Sequence, residues 1–114
     1  DVEDAVATTR GAPLPELDHL CCGLAGRAAA LLGAGRRLGH AEALQGAREL
    51  TAALVERSTK RRRFCFESGL LRDRRQSPDF LRGLAGIGWH LLRSAGVNLP
   101  DLLALELPRA SPAP

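Results

Sequence analysis

Asp18-His19-Leu20-Cys21-Cys22-Gly23-Leu24-Ala25-Gly26-Arg27 decides how the rest of this 114-residue chain is read. Two adjacent thiols stand just ahead of a Gly-x-x-Gly turn, which runs into Ala28-Ala29-Ala30-Leu31-Leu32. Ala and Leu are the strongest helix formers, so the pattern predicts a helix start near Gly23. Both sulfurs are then expected at or just ahead of a helix N-terminus, where unpaired backbone N–H groups and the positive end of the dipole favour thiolate. Such thiolates hold zinc and other soft or borderline metals, or act as nucleophiles. The competing expectation is that two small apolar residues simply pack under the helix start.

Upstream, Asp1 to about Arg10 is expected to be helical, with Val2, Ala5 and Val6 on one face and Glu3 and Asp4 in the first turn. Gly11-Ala12-Pro13-Leu14-Pro15 breaks it. Downstream, the helix after Gly23 is expected to end near Leu32 or Ala34, because Gly33 and Gly35 weaken it and mark a turn. A scaffold helix is predicted over about His40 to Arg57, from the stripe Leu44, Ala47, Leu50, Leu54 and Val55. Lys60-Arg61-Arg62-Arg63 reads as a solvated loop, with an anionic-ligand patch as the alternative, and Cys65 between Phe64 and Phe66 as core filler. Gly69 to Phe80 is expected to be a loop.

Sixty residues after the first turn, Gly83-Leu84-Ala85-Gly86 repeats Gly23-Leu24-Ala25-Gly26, and both copies lead into an apolar helix. A repeated helical hairpin predicts an all-α fold, a closed or stacked array. In the second copy Trp89 is expected in the core and His90 as an interior or rim histidine. The segment Asn98 to Glu106 is too apolar to hang free and is expected to pack back on the core. Residues 107–114 read as a disordered tail.

Composition narrows the function classes. The chain is 45% hydrophobic and 25% charged, which fits one globular unit. No apolar run approaches the roughly 18 residues of a membrane span. Asp1-Val2-Glu3-Asp4 does not open like a signal peptide, so a cytoplasmic setting is expected. The absence of Met and the Asp at position 1 suggest a segment of something longer. A net charge of +3 is too small to argue for nucleic acid. Three cysteines, two of them adjacent, do not make a disulfide framework, so reduced thiols are expected.

Cys21-Cys22-Gly23-Leu24-Ala25-Gly26-Arg27 resembles the Cys-His-Gly or Cys-Cys-Gly motif of the lanthionine synthetase C-like (LanC-like) family. Ser77-Pro78, Gly83 to Gly88, Leu91-Leu92-Arg93 and Leu99-Pro100 to Leu105-Glu106 resemble the C-terminus of its cyclases, closest to the class II (LanM-type) lanthipeptide synthetases. The resemblance covers residues 1–106. It implies the C-terminal part of an α/α toroid whose earlier hairpins are missing here, with inner helices starting at Gly-x-x-Gly turns around a zinc site. It implies Cys21 and Cys22 as two of three protein ligands to Zn²⁺, the fourth position taking a Cys thiol of a dehydrated, ribosomally made precursor peptide. The thiolate would add to dehydroalanine or dehydrobutyrine to give lanthionine or methyllanthionine.

The sequence departs from the family pattern in two respects. The third ligand and the acid/base residues are expected upstream of residue 1, and Cys65 is misplaced to serve as that ligand. Gly23 and Gly26 are assigned to the helix-start turn. His19 is expected to be a solvent-facing loop residue, with orientation of a ligand as the alternative, and Arg27 is a further candidate to face the cavity. Alone, this segment is expected to lack cyclase activity. The rival reading is a non-catalytic helical-repeat interaction module with buried cysteines.

Overall fold

The computed structural model describes residues 1–68 and 76–106, so the loop expectation for Gly69 to Phe80 is met only in part by described residues and the tail 107–114 lies outside them. The described residues are helical or irregular, with no strand. Four α-helices follow in order: α1 (Val2–Gly11), α2 (Leu24–Leu38), α3 (Ala41–Arg61) and α4 (Leu84–Ser94), then a short 3₁₀ turn at Leu102–Ala104. No helix among the described residues is long and apolar enough to cross a membrane.

Each boundary has a local cause. Asp1 caps α1 and forms a capping box with Asp4. The expected break at Gly33 and Gly35 does not occur: α2 continues to Leu38 and stops at Gly39, which takes the left-handed conformation at φ 62°. The two earlier glycines are buried instead, and a Cβ on Gly35 would lie 2.6 Å from the Leu44 side chain. Gly35 lets α3 approach α2, and Gly33 leaves room for Asp101, whose Oδ2 would lie 3.0 Å from a Cβ there. His40 caps α3, its Nδ1 accepting from the Ala43 N–H at 3.2 Å.

Helix α3 also outruns its expected end at Arg57, so Lys60 and Arg61 are helical and not loop. A Glu56–Lys60 pair at 2.8 Å supports that last turn. Its buried face is Ala43, Gly46, Ala47, Leu50 and Leu54, while Val55, expected in the stripe, is 46% exposed. With a two-residue link and Gly35 beside Leu44, α2 and α3 form an antiparallel hairpin whose facing side chains make most of the core.

Helix α4 adds Ile87 and Trp89 to that core. The expected packing of Asn98 to Glu106 is met only before the 3₁₀ turn: Trp89 Nε1 donates to the Pro100 carbonyl at 3.2 Å and Asp101 is buried beside Arg37 and Arg93, whereas Leu102, Leu103 and Leu105 are exposed. The other side of α4 stays open, with Leu84 and Leu92 exposed along it and Leu81 exposed just before it.

Candidate metal and thiol site

The vicinal thiols sit on the turn 18–23, and its backbone wraps over the start of α2. The Leu24 N–H donates to the Leu17 carbonyl at 2.9 Å and the Ala25 N–H to the Asp18 carbonyl at 3.1 Å. Gly23 and Gly26 are forced by this wrapping. A Cβ at Gly26 would lie 1.8 Å from the Leu20 carbonyl oxygen, and one at Gly23 would lie 2.5 Å from the His19 nitrogen. Their turn role therefore has a steric basis: no other residue lets the loop carbonyls cap this helix.

The loop is anchored by a buried ion pair that sequence reasoning missed. Asp18 is fully buried, and its Oδ1 accepts from Arg57 Nε at 2.7 Å, with Nη2 also in contact. Oδ2 accepts from the Cys65 N–H at 2.6 Å, while the Asp18 N–H donates to the Cys65 carbonyl at 2.8 Å. Arg57 further donates to the Pro15 and Leu17 carbonyls at 2.6 and 2.8 Å. Asp18 and Arg57 are 39 residues apart and look like ordinary surface charges in one dimension. Cys65 is buried as expected, with its backbone serving this anchor.

His19 does not face solvent as expected. It is 3% exposed, and its Nδ1 accepts from the Cys22 N–H at 3.3 Å, which places the ring proton on Nε2. Burial, then the nearby Arg82 charge, lowers its pKa below the ordinary histidine value, so the ring is neutral near pH 7. It holds the backbone of Cys22 in place. Arg27, the other candidate to face the cavity, spends its guanidinium elsewhere: Nη1 donates to the Ala12 and Pro13 carbonyls at 3.1 and 2.7 Å. It fastens the α1–α2 connection.

Both Cys21 and Cys22 are exposed, which removes the reading of the pair as packing residues. Their sulfurs are 3.3 Å apart, with Cys22 donating. Cys22 lines an open cleft of about 500 Å³ together with His19, Phe66, Glu67, Asp79 and Arg82. The expected lowering of thiol pKa is not what the geometry gives. The hydrogen bond with Cys21 comes first, followed by desolvation and the proximity of Cys21. Together they hold the Cys22 thiol above its ordinary value, against the pull of Arg82. The amides of Leu24 and Ala25 are already taken by the Leu17 and Asp18 carbonyls and do not donate to the sulfurs.

The donor set suits a thiophilic ion. Two thiolates on a tetrahedral zinc, with Zn–S near 2.3 Å, lie about 3.8 Å apart, so the pair needs to open by about half an ångström. Among the described residues no group of three or more His, Cys, Asp or Glu side chains could hold a metal ion. The pair thus supplies half of a four-coordinate set.

The second Gly-x-x-Gly turn reproduces the first at a sixty-residue offset. Leu84 N–H donates to the Ser77 carbonyl at 2.7 Å, and a Cβ at Gly86 would lie 1.9 Å from the Phe80 carbonyl oxygen. Arg82 N–H donates to Asp79 Oδ1 at 2.7 Å, as Cys22 N–H does to His19. The two turns touch, Cys21 N–H donating to the Leu81 carbonyl at 2.9 Å, and this contact brings Arg82 into the thiol cleft. No family model matches the chain, and neither a curated protein nor a solved structure matches it.

Proposed function

We propose that this chain is the C-terminal part of a LanC-like cyclase domain, a segment of an α/α toroid, acting with zinc in lanthipeptide synthesis. The reaction is addition of a Cys thiolate of a dehydrated precursor peptide to dehydroalanine or dehydrobutyrine, giving a lanthionine or methyllanthionine thioether. The observation that carries the reading is the pair of exposed sulfurs 3.3 Å apart, one of them lining an open cleft. The doubled helix-start turn supports it as a repeated structural unit.

Zinc bound there would acidify a peptide thiol held in an open coordination position. Cys21 and Cys22 supply two ligands, and a preceding segment supplies the third together with the acid/base groups. His19 fixes the backbone of Cys22, while the Asp18–Arg57 pair fixes the loop on the α2–α3 hairpin. Arg82 places a cation in the cleft, where it favours an anionic thiolate over a neutral thiol.

Zinc content after gel filtration tests this, on the 114-residue chain and on a form extended upstream through the next Cys. The extended form is expected to carry about one zinc per chain, lost in Cys21→Ala or Cys22→Ala, and the shorter chain much less. A well-folded extended form without zinc overturns the reading.

A further inference from the structure

The backbone of both vicinal cysteines is held while their thiols stay open to solvent. Cys21 N–H donates to the Leu81 carbonyl at 2.9 Å, and Cys22 N–H to His19 Nδ1 at 3.3 Å. The turn that carries them is fixed by the buried Asp18–Arg57 pair. Both thiols are exposed, and Cys22 Sγ donates to Cys21 Sγ at 3.3 Å. The third cysteine is no rival for either: Cys65 is buried, and its Sγ donates to the Glu67 carbonyl at 3.3 Å.

A disulfide sets its sulfurs about 2.0 Å apart, so this pair has about 1.3 Å to close. Joining neighbouring residues makes a small ring through their shared peptide bond, and such a ring is strained. The hydrogen bonds that pin the two backbones resist its relaxation. Strain makes a disulfide easy to reduce, and exposure keeps it within reach of a reductant. Those are the marks of a labile disulfide and not of a structural one.

We propose that Cys21 and Cys22 are a redox-active dithiol, which a small disulfide oxidises to a reversible Cys21–Cys22 disulfide. The Cys22 thiolate, at the open cleft of about 500 Å³, attacks one sulfur of the small disulfide. A mixed disulfide forms on Cys22, and the first small thiolate leaves. The Cys21 thiolate then attacks Cys22 Sγ and expels the second. Two electrons pass from the protein pair to the small disulfide, and the two protons that the protein gives up are balanced by those of the two small thiols. The oxidised pair has no thiolate left for a metal. That the couple switches a zinc site off therefore rests on the reading above, whereas the disulfide itself does not.

Oxidised glutathione added to the reduced, zinc-free 114-residue chain in native buffer tests it. Intact mass and tryptic mapping follow the product, since the tryptic peptide Gly11 to Arg27 carries Cys21 and Cys22 without Cys65. The expected product has lost two hydrogens within that peptide and regains them with dithiothreitol. Cys22→Ser, at an exposed position, should instead keep a stable glutathione adduct on Cys21. Stable adducts on both cysteines of the native chain, chain-to-chain dimers, or no reaction, each without that loss of two hydrogens, overturn the proposal. In the upstream-extended form the same oxidation should release the zinc, and zinc retained after the disulfide has closed overturns the switch. An extended form that closes the disulfide but never carried zinc overturns the zinc reading and upholds the dithiol couple.

Discussion

The two Gly-x-x-Gly turns share a backbone and differ in nearly everything attached to it. In both, a loop carbonyl seven residues upstream caps the first helical amide, and a second carbonyl lies where a glycine Cβ would be. Yet Cys22 is matched by Arg82, Cys21 by Leu81, His19 by Asp79 and Asp18 by Pro78. The first turn is tied down by a buried carboxylate–guanidinium pair, the second by an exposed Ser77–Asp79 hydrogen bond of 2.6 Å. Glycines and main-chain carbonyls make the turn, and the remaining positions are free to carry chemistry.

Breaking the shared part should cost most. Gly26→Ala and Gly86→Ala each place a methyl group on a backbone carbonyl, which no rotamer change relieves. Each is expected to lower unfolding free energy by about 5 kcal/mol, the range reserved for severe core and backbone lesions. Urea unfolding followed by circular dichroism measures this. A loss below about 1 kcal/mol at either site would separate the two turns and undo their equivalence.

Breaking what is peculiar to the first turn comes next. Asp18→Ala leaves Arg57 without its carboxylate in a buried setting and frees the Cys65 N–H, at an expected cost of about 4 kcal/mol. Asp79→Ala, its neighbour in the second turn's exposed network, should cost less in the same urea series, because water replaces the lost acceptor. Equal losses would mean that the first turn is not specially anchored.

How far these features could be read in sequence follows from their range. The helix starts, the sixty-residue repeat and the glycine turns are local patterns, and each was legible. The anchor was not: Asp18, Arg57 and Cys65 meet only through the α2–α3 hairpin, and the burial of His19 follows from that packing. Gly33 and Gly35 misled for a related reason. A glycine weakens a helix in isolation, but Gly35 permits a close approach to Leu44 that local propensity does not register. The thiol pair was legible as a chemical feature but its exposure was not, and the direction of the Cys22 shift follows first from its hydrogen bond with Cys21, which only the folded turn shows.

A pH series compares the histidines of the two halves. His90 is fully buried, its Nε2 2.9 Å from Thr51 Oγ1, and burial followed by Arg93 and Arg36 lowers its pKa to about 4. A depressed folded-state pKa means that the unfolded chain takes up the proton first. The stabilisation is complete above the unfolded value of 6.5 and is lost as pH falls toward 4. About 3 kcal/mol should disappear across that window. His19 is lowered in the same direction and adds to the slope. Urea midpoints between pH 7 and pH 4 check this, and His90→Gln should flatten most of the dependence. An unchanged slope in that variant would assign the effect to His19 or to the carboxylates.

The smallest effect separates two glycines on the same helix. Gly86 lies against the Phe80 carbonyl oxygen, whereas a Cβ at Gly88 would meet nothing within 4 Å. Helix interiors disfavour glycine because the unfolded chain loses more freedom in ordering it, so Gly88→Ala should stabilise this chain by about 0.7 kcal/mol. Gly88 belongs to the open side of α4 that carries Leu84 and Leu92. Under the toroid reading, that side is covered in the longer protein by another hairpin, and glycine there serves close approach. The same substitution should then raise the urea midpoint of the 114-residue chain and lower that of the upstream-extended form. A rise in both would show that nothing packs against Gly88 in the longer protein, and the turn at Gly83 to Gly86 would have to owe its glycines to its own loop alone.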